Sequence, residues 1–458
     1  MRFRTSLAGW ATALVGSLVV LFATPARAAP DATAGPALTL DVHRETLPNG
    51  LRVVLSVDHT SPTVAVDVTY DVGARNEERG RSGFAHLFEH MMFQGSRNVA
   101  RGEHMKLVAS HGGDDNATTN SDRTNYFEVL PSTQLALALW LEADRMKSLD
   151  VSQKNFENQR AVVKEELRMR IENAPYVPAF VRLQELIFQG YWPYEHLAAG
   201  NMKDLDGAEL SWVRAFHDAY YGPNTAVLAV AGDFDAEQAI SLIRRYFGDA
   251  RPVSPPPYAP PPIAEQTAPR DDVVLDAHAK LPALMLGWAV PPTRHPDHYA
   301  LDVAAHLLSD GESSRLYKLL VREKGLALGV DVSVSDHRGP SPFTIDAKLT
   351  NAAKVADVEH RILAELAQLA RTGPTDDEMK KLRARFESSF IFDLQTNIAR
   401  ATRLSEFELF WGDARLVASE LQRYLAVTKA DVQRVVGTYL TAARTSRVEV
   451  KPADKEKK

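Results

Sequence analysis

Cysteine is absent from this 458-residue sequence. That excludes disulfides, thiolate metal sites, a cysteine nucleophile and a lipidated N-terminal cysteine, so any metal must be held by histidine and carboxylate. A basic excess is missing too. The 53 Lys and Arg stand against 59 Asp and Glu, a net charge of −6, which argues against recognition of a nucleic-acid backbone. Past the N-terminus no apolar run is long enough to span a bilayer. What remains is an ordinary globular composition, 45% hydrophobic and 24% charged, in a length that suits two or three domains.

Arg2 and Arg4 precede an apolar stretch, Leu7 to Ala23, which ends at Ala26-Arg27-Ala28. This is the pattern of a cleaved export signal over residues 1–28, with an uncleaved N-terminal anchor as the alternative. The mature chain is then expected outside the cytoplasm, in the periplasm of a Gram-negative host or otherwise secreted, with no stable membrane span after cleavage. Eight prolines between Pro252 and Pro269 predict a stiff, extended linker over 251–269. It separates segment 40–250 from segment 270–450, two parts of similar size.

The parts share a faint pattern. Glu89 to Gly95 sets against Ala305 to Gly311, and Ser152 to Glu166 against Thr375 to Ser389, which points to an ancient duplication. In the first part, Asn49-Gly50 marks a hairpin turn before the apolar run from Leu51, and Thr63 to Val72 reads as a strand. Helices are expected over 83–94, 132–147 and 153–172, and Thr225 to Gly232 reads as a buried strand. The second part repeats the order: a strand over Ala283–Trp288, helices at 297–309 and 313–322, strands to Leu349, then long helices. Each half is therefore predicted to be α+β, with helices on one face of a sheet.

The chemistry concentrates in Ser82-Gly-Phe-Ala-His86-Leu-Phe-Glu89-His90-Met-Met-Phe-Gln-Gly95. Ser82 is placed to cap the helix and Gly95 to close it. At about 100° per residue, His86, Glu89 and His90 share one arc, while Phe84, Leu87, Phe88 and Met91 form the opposite, core-facing stripe. Two imidazoles one turn apart can bind one Zn²⁺, and Glu89 lies where a general base takes a proton from metal-activated water. Solvated polar residues on an exposed helix face are the competing reading. A third ligand is sought in Glu165 and Glu166. With Phe156, Val163 and Leu167 marking the buried face, the wheel favours Glu166 and turns Glu165 outward.

His86-x-x-Glu89-His90 followed by Glu166 resembles the pitrilysin/insulinase family of zinc peptidases, the inverzincins. Leu47-Pro-Asn-Gly-Leu51, Asn116-Ala117, Val162-Val-Lys-Glu-Glu166 and Tyr221-Gly-Pro-Asn224 add to the resemblance. It implies two structurally similar halves, each a mixed β-sheet backed by helices, closing like a clamshell on an unfolded peptide. It assigns one Zn²⁺ per chain to His86, His90 and Glu166, makes Glu89 the base, and leaves segment 270–450 metal-free. By the same resemblance Asn116 and Ala117 lie on the edge strand that pairs with substrate. Phe93, on the ligand side of the helix, either lines a side-chain pocket or packs in the core.

Two departures qualify the match. Gln159 stands where the family often has an acidic residue. In the second half Arg322 is present, but Leu328 occupies the place of a substrate-binding Tyr, and Leu cannot donate to a developing oxyanion. The chain therefore looks like the metal-bearing subunit of a heterodimer whose sister supplies an Arg and Tyr pair, a homodimer being the alternative. The reading from another class is a non-catalytic structural or chaperone subunit. A third is a binding protein that uses zinc only to hold its fold.

Overall fold

The computed structural model describes residues 40–453; the expected export signal at 1–28 lies outside them. Eleven strands form two sheets among the described residues. The first contains β1 (His43–Thr46), β2 (Arg52–Val57), β3 (Thr63–Tyr70), β4 (Asp114–Thr119), β5 (Thr124–Pro131) and β6 (Ala226–Gly232), in the order β1-β2-β6-β3-β5-β4. The second contains β7 (Arg270–Asp276), β8 (Ala283–Val290), β9 (Ala327–Val334), β10 (Ser341–Leu349) and β11 (Ser446–Pro452), in the order β7-β11-β8-β10-β9.

Leaving aside β1, the two orders are the same. In each, the first strand lies parallel to the last and the remaining neighbours run antiparallel. The faint sequence repeat thus corresponds to a repeated topology, in which β4 and β9 occupy the same outer edge. Residues 251–268 between the sheets carry almost no regular structure and are largely exposed.

Helices α1 (Phe84–Met91), α2 (Glu103–Ser110), α3 (Leu135–Ser148) and α4 (Gln153–Leu167) belong to the first half. The segment expected to be helical at 313–322 instead forms a wider-turned helix, Tyr317–Glu323. A larger difference concerns the faces of the sheets. Helices were expected on one face only, yet both sheets are covered on both faces. On β3, Val64, Val66, Val68 and Tyr70 join the helical core of their own half, while Asp67 and Thr69 meet Ser405 on helix Asn397–Trp411 of the second half. On β8, Leu284, Leu286 and Trp288 join the second half's core. Ala283 and Met285 pack against Ala179, Leu183 and Ile187 of helix α5 (Val177–Ile187), which comes from the first half.

Each half therefore lends one helix to the other's sheet. Full burial of Leu183, Leu186 and Ile187 contributes about 1.5–3 kcal/mol per side chain. Gly287 makes the approach possible, because a Cβ there would sit 2.4 Å from Ile187 Cδ1. Among the described residues no helix is long and apolar enough to cross a membrane.

Candidate metal centre

Helix α1 is held by its apolar back. Phe84, Ala85, Leu87, Phe88 and Met91 are buried, which leaves His86, Glu89 and His90 together on the accessible side. The N-terminus is capped differently from the sequence expectation. Gly83, not Ser82, occupies the cap position, in the left-handed region at φ +90°, and a Cβ there would meet the Ala199 carbonyl oxygen at 2.9 Å. Ser82 instead donates through its hydroxyl to Asp204 Oδ2 at 2.6 Å. The helix amides of Gly83 and Ala85 donate to the two oxygens of Glu77 at 2.9 and 2.8 Å.

A carboxylate at a helix N-terminus satisfies orphan amides and opposes the helix dipole. Burial raises the Glu77 pKa, while His196, 3.0 Å from Oε2, and the two amides oppose that rise. Glu77, His196 and Asp204 thus fix the helix that carries the two histidines, and none was visible as such in sequence. At the other end α1 stops at Met91, and Gly95 turns the chain four residues later at φ +106°.

Helix α4 brings the third donor. Phe156, Val163 and Leu167 are buried, so Glu166 turns toward α1 and Glu165 turns away, into an ion pair with Arg168 at 3.1 Å. Glu166 Oε2 lies 3.2 Å from His90 Nε2 and 3.9 Å from His86 Nε2. All three donor atoms fall within 4.8 Å of one another. The edges of a tetrahedron with bonds of about 2.0 Å are about 3.3 Å long, so the set fits one zinc ion after sub-ångström adjustment.

Two imidazoles and one carboxylate form a catalytic-type donor set that leaves a position open, and each side chain keeps partial exposure. Burial, reinforced by His90, pushes the His86 pKa down to about 4. Its ring is therefore neutral and its lone pair available to a metal. The other Glu166 oxygen forms an ion pair with the exposed Arg170 guanidinium at 2.9 Å.

Glu89 sits between the two histidines in sequence and outside the donor trio. Burial raises its pKa, partly offset by the Thr119 hydroxyl and His90, which is the direction required of a base working near neutral pH. Thr119 belongs to β4, the outermost strand of its sheet. On that strand Asn116 is exposed and Ala117 buried, and the Ala117 amide donates to Asn116 Oδ1 at 2.8 Å. Phe93 is half-buried, edge-on to His104 at 5.8 Å and beneath the Arg145 guanidinium. The structure does not join Arg322 to this centre: it is exposed at the end of Tyr317–Glu323 and forms no ion pair among the described residues. Leu328 is 61% exposed on the edge strand β9. Gln159 is buried and donates to Asn158.

A cavity of about 760 Å³ opens between the halves. Thr118, Arg123 and Phe127 line it from the first sheet, and His306, Phe386 and Tyr424 from the second half.

Comparison with known proteins agrees with this geometry. Residues 52–188 match the family described as Insulinase (Peptidase family M16), and residues 210–386 match the Peptidase M16 inactive domain. The chain is 31% identical over 412 residues to the zinc protease PqqE of Helicobacter pylori, covering 89% of this chain and 92% of that one. It is 23% identical over 416 residues to the mitochondrial-processing peptidase subunit beta of Lentinula edodes, covering 86% of each. A solved protease from Helicobacter pylori superposes with a TM-score of 0.86 at 30% identity, over 90% of this chain and all of that one. With the repeated sheet, the histidine pair on α1 and the α4 glutamate in hand, the chain belongs to the insulinase family of peptidases, M16.

Proposed function

We propose that the chain is a zinc-dependent endopeptidase acting on peptides or unfolded segments outside the cytoplasm. The observation that carries this reading is the convergence of His86, His90 and Glu166 beside Glu89. The relatives named as zinc proteases support it. Zinc bound there supplies Lewis-acid activation of water and of the scissile carbonyl. Glu89 takes the proton from the attacking water and returns it to the leaving amine. The free edge of β4 at Asn116 and Ala117 holds the peptide extended by main-chain hydrogen bonds, which makes recognition largely independent of sequence. Phe93 contributes by packing behind that strand.

Arg322 and Leu328 are exposed, and Leu328 has no hydroxyl to offer the oxyanion. We therefore read it as the metal-bearing subunit of a heterodimer whose sister supplies an Arg and Tyr pair. The resemblance to a protein named as a subunit agrees with this. A second reading, a non-catalytic subunit, is favoured by the match of residues 210–386 to an inactive domain. Peptide hydrolysis by the zinc-loaded chain, alone and with a sister, separates the two. The proposal expects hydrolysis that is lost on chelation, regained with zinc, and absent from Glu89→Gln, which keeps its zinc. Equal hydrolysis by wild type and Glu89→Gln overturns the assigned base. No hydrolysis in any combination favours the non-catalytic subunit.

A further inference from the structure

Behind the edge strand lies a second group of metal-ligating side chains that the proposed mechanism does not use. His104 on α2, Glu128 on β5 and Glu142 on α3 are all buried, with donor atoms within 4.8 Å of one another. Asp115 on β4 lies beside this group, nearest to His104. His104 Nε2 lies 3.4 Å from Glu128 Oε2 and 4.0 Å from Asp115 Oδ2. These distances nearly reproduce the 3.2 and 3.9 Å of the trio on α1 and α4.

The polar atoms are left unsatisfied. His104 Nε2, Asp115 Oδ2 and both Glu128 oxygens are buried with no hydrogen-bond partner. Glu128 is fully buried and His104 is 4% exposed. Orphaned buried polar atoms cost on the order of 1–3 kcal/mol each, more when charged, so a converging set of them calls for a ligand. Charge points the same way. Three carboxylates face one guanidinium, Arg145, whose Nε and Nη2 are already taken by Glu142.

We propose that His104, Glu128 and Glu142 hold a second divalent cation, zinc by the match of imidazole and carboxylate donors, in a buried structural site with Asp115 beside it. Burial distinguishes it from the partly exposed trio on α1 and α4, as befits a structural ion. The ion ties α2, β5 and α3 together behind the strand that carries Asn116.

The test counts zinc by mass spectrometry in chains expressed with added zinc and gel-filtered through chelator-treated buffer. Two zinc ions per chain are expected for wild type, one for His86→Ala/His90→Ala, and none when Glu128→Gln is added. A double variant that holds no zinc overturns the proposal, and so does zinc that survives Glu128→Gln. Should the triple variant fail to fold, X-ray absorption on the double variant decides. One nitrogen among oxygen donors supports the site; two or more imidazoles overturn it.

Discussion

The two halves share one topology, and at the candidate centre a few side chains set them apart. On α1, His86 and His90 turn ring nitrogens toward Glu166, with Glu89 beside them on the same face. The matching helix of the second half, Pro296–Ser309, carries Asp302, Ala305 and His306. There the same positions are consumed by protein: Asp302 accepts from the Tyr424 hydroxyl at 2.9 Å, and His306 Nδ1 pairs with Asp310 at 3.1 Å. Where α4 offers Glu166, the helix Asp376–Asp393 offers Ser389. One architecture thus carries the candidate metal centre in one copy and a wall of the cavity in the other. The difference lies in which polar groups stand at these positions and what they face.

Writing the second half's residues into the first should give the largest effect. His86→Asp with Glu89→Ala removes a ligand and the base together. Peptide hydrolysis is expected to fall on the order of 10⁴-fold, with loss of the zinc held by α1 and α4, as read by metal analysis. The exchanged helices come next. Leu183→Ala empties a fully packed contact between α5 and the second sheet, and should cost about 2–4 kcal/mol in denaturant unfolding. A smaller gain is expected from Leu328→Tyr, which gives β9 a hydroxyl donor: turnover of the isolated chain should rise about tenfold, with little change when the sister subunit is present.

The smallest effect is acid-specific and confined to the second half. Burial works against ionisation of Glu378, yet Arg315, at 2.8 Å through both nitrogens, and the Thr375 amide hold its carboxyl down at about 2. A depressed pKa stabilises the fold above the ordinary carboxylate range and loses that contribution as pH falls from about 4.5 toward 2. Glu378→Gln should therefore cost about 1–2 kcal/mol at pH 6, after screening by solvent, and progressively less as pH falls through about 2. The matching first-half position, Asn155, is uncharged, so Asn155→Gln should leave the acid profile unchanged.

Sequence made some of this legible, for a physical reason. His86, Glu89 and His90 lie within one turn of an amphipathic helix, so local periodicity reports their shared face. Glu166 follows from the same reasoning on α4. The Glu77 cap, with His196 and Asp204 behind it, rests on contacts between distant segments that leave no periodic trace. The exchange of α5 and Asn397–Trp411 was hidden likewise, because an apolar stripe shows that a helix packs, not which sheet it packs on. His104, Asp115, Glu128 and Glu142 come from four separate elements and look like ordinary surface residues until the fold gathers them.

The account turns on one position of electron density. Diffraction recorded at the zinc absorption edge from crystals of the zinc-loaded protein should place a peak about 2.0–2.2 Å from His86 Nε2, His90 Nε2 and a Glu166 oxygen. Active protein with no peak between those three atoms, or with Glu166 turned away from both rings, would contradict it.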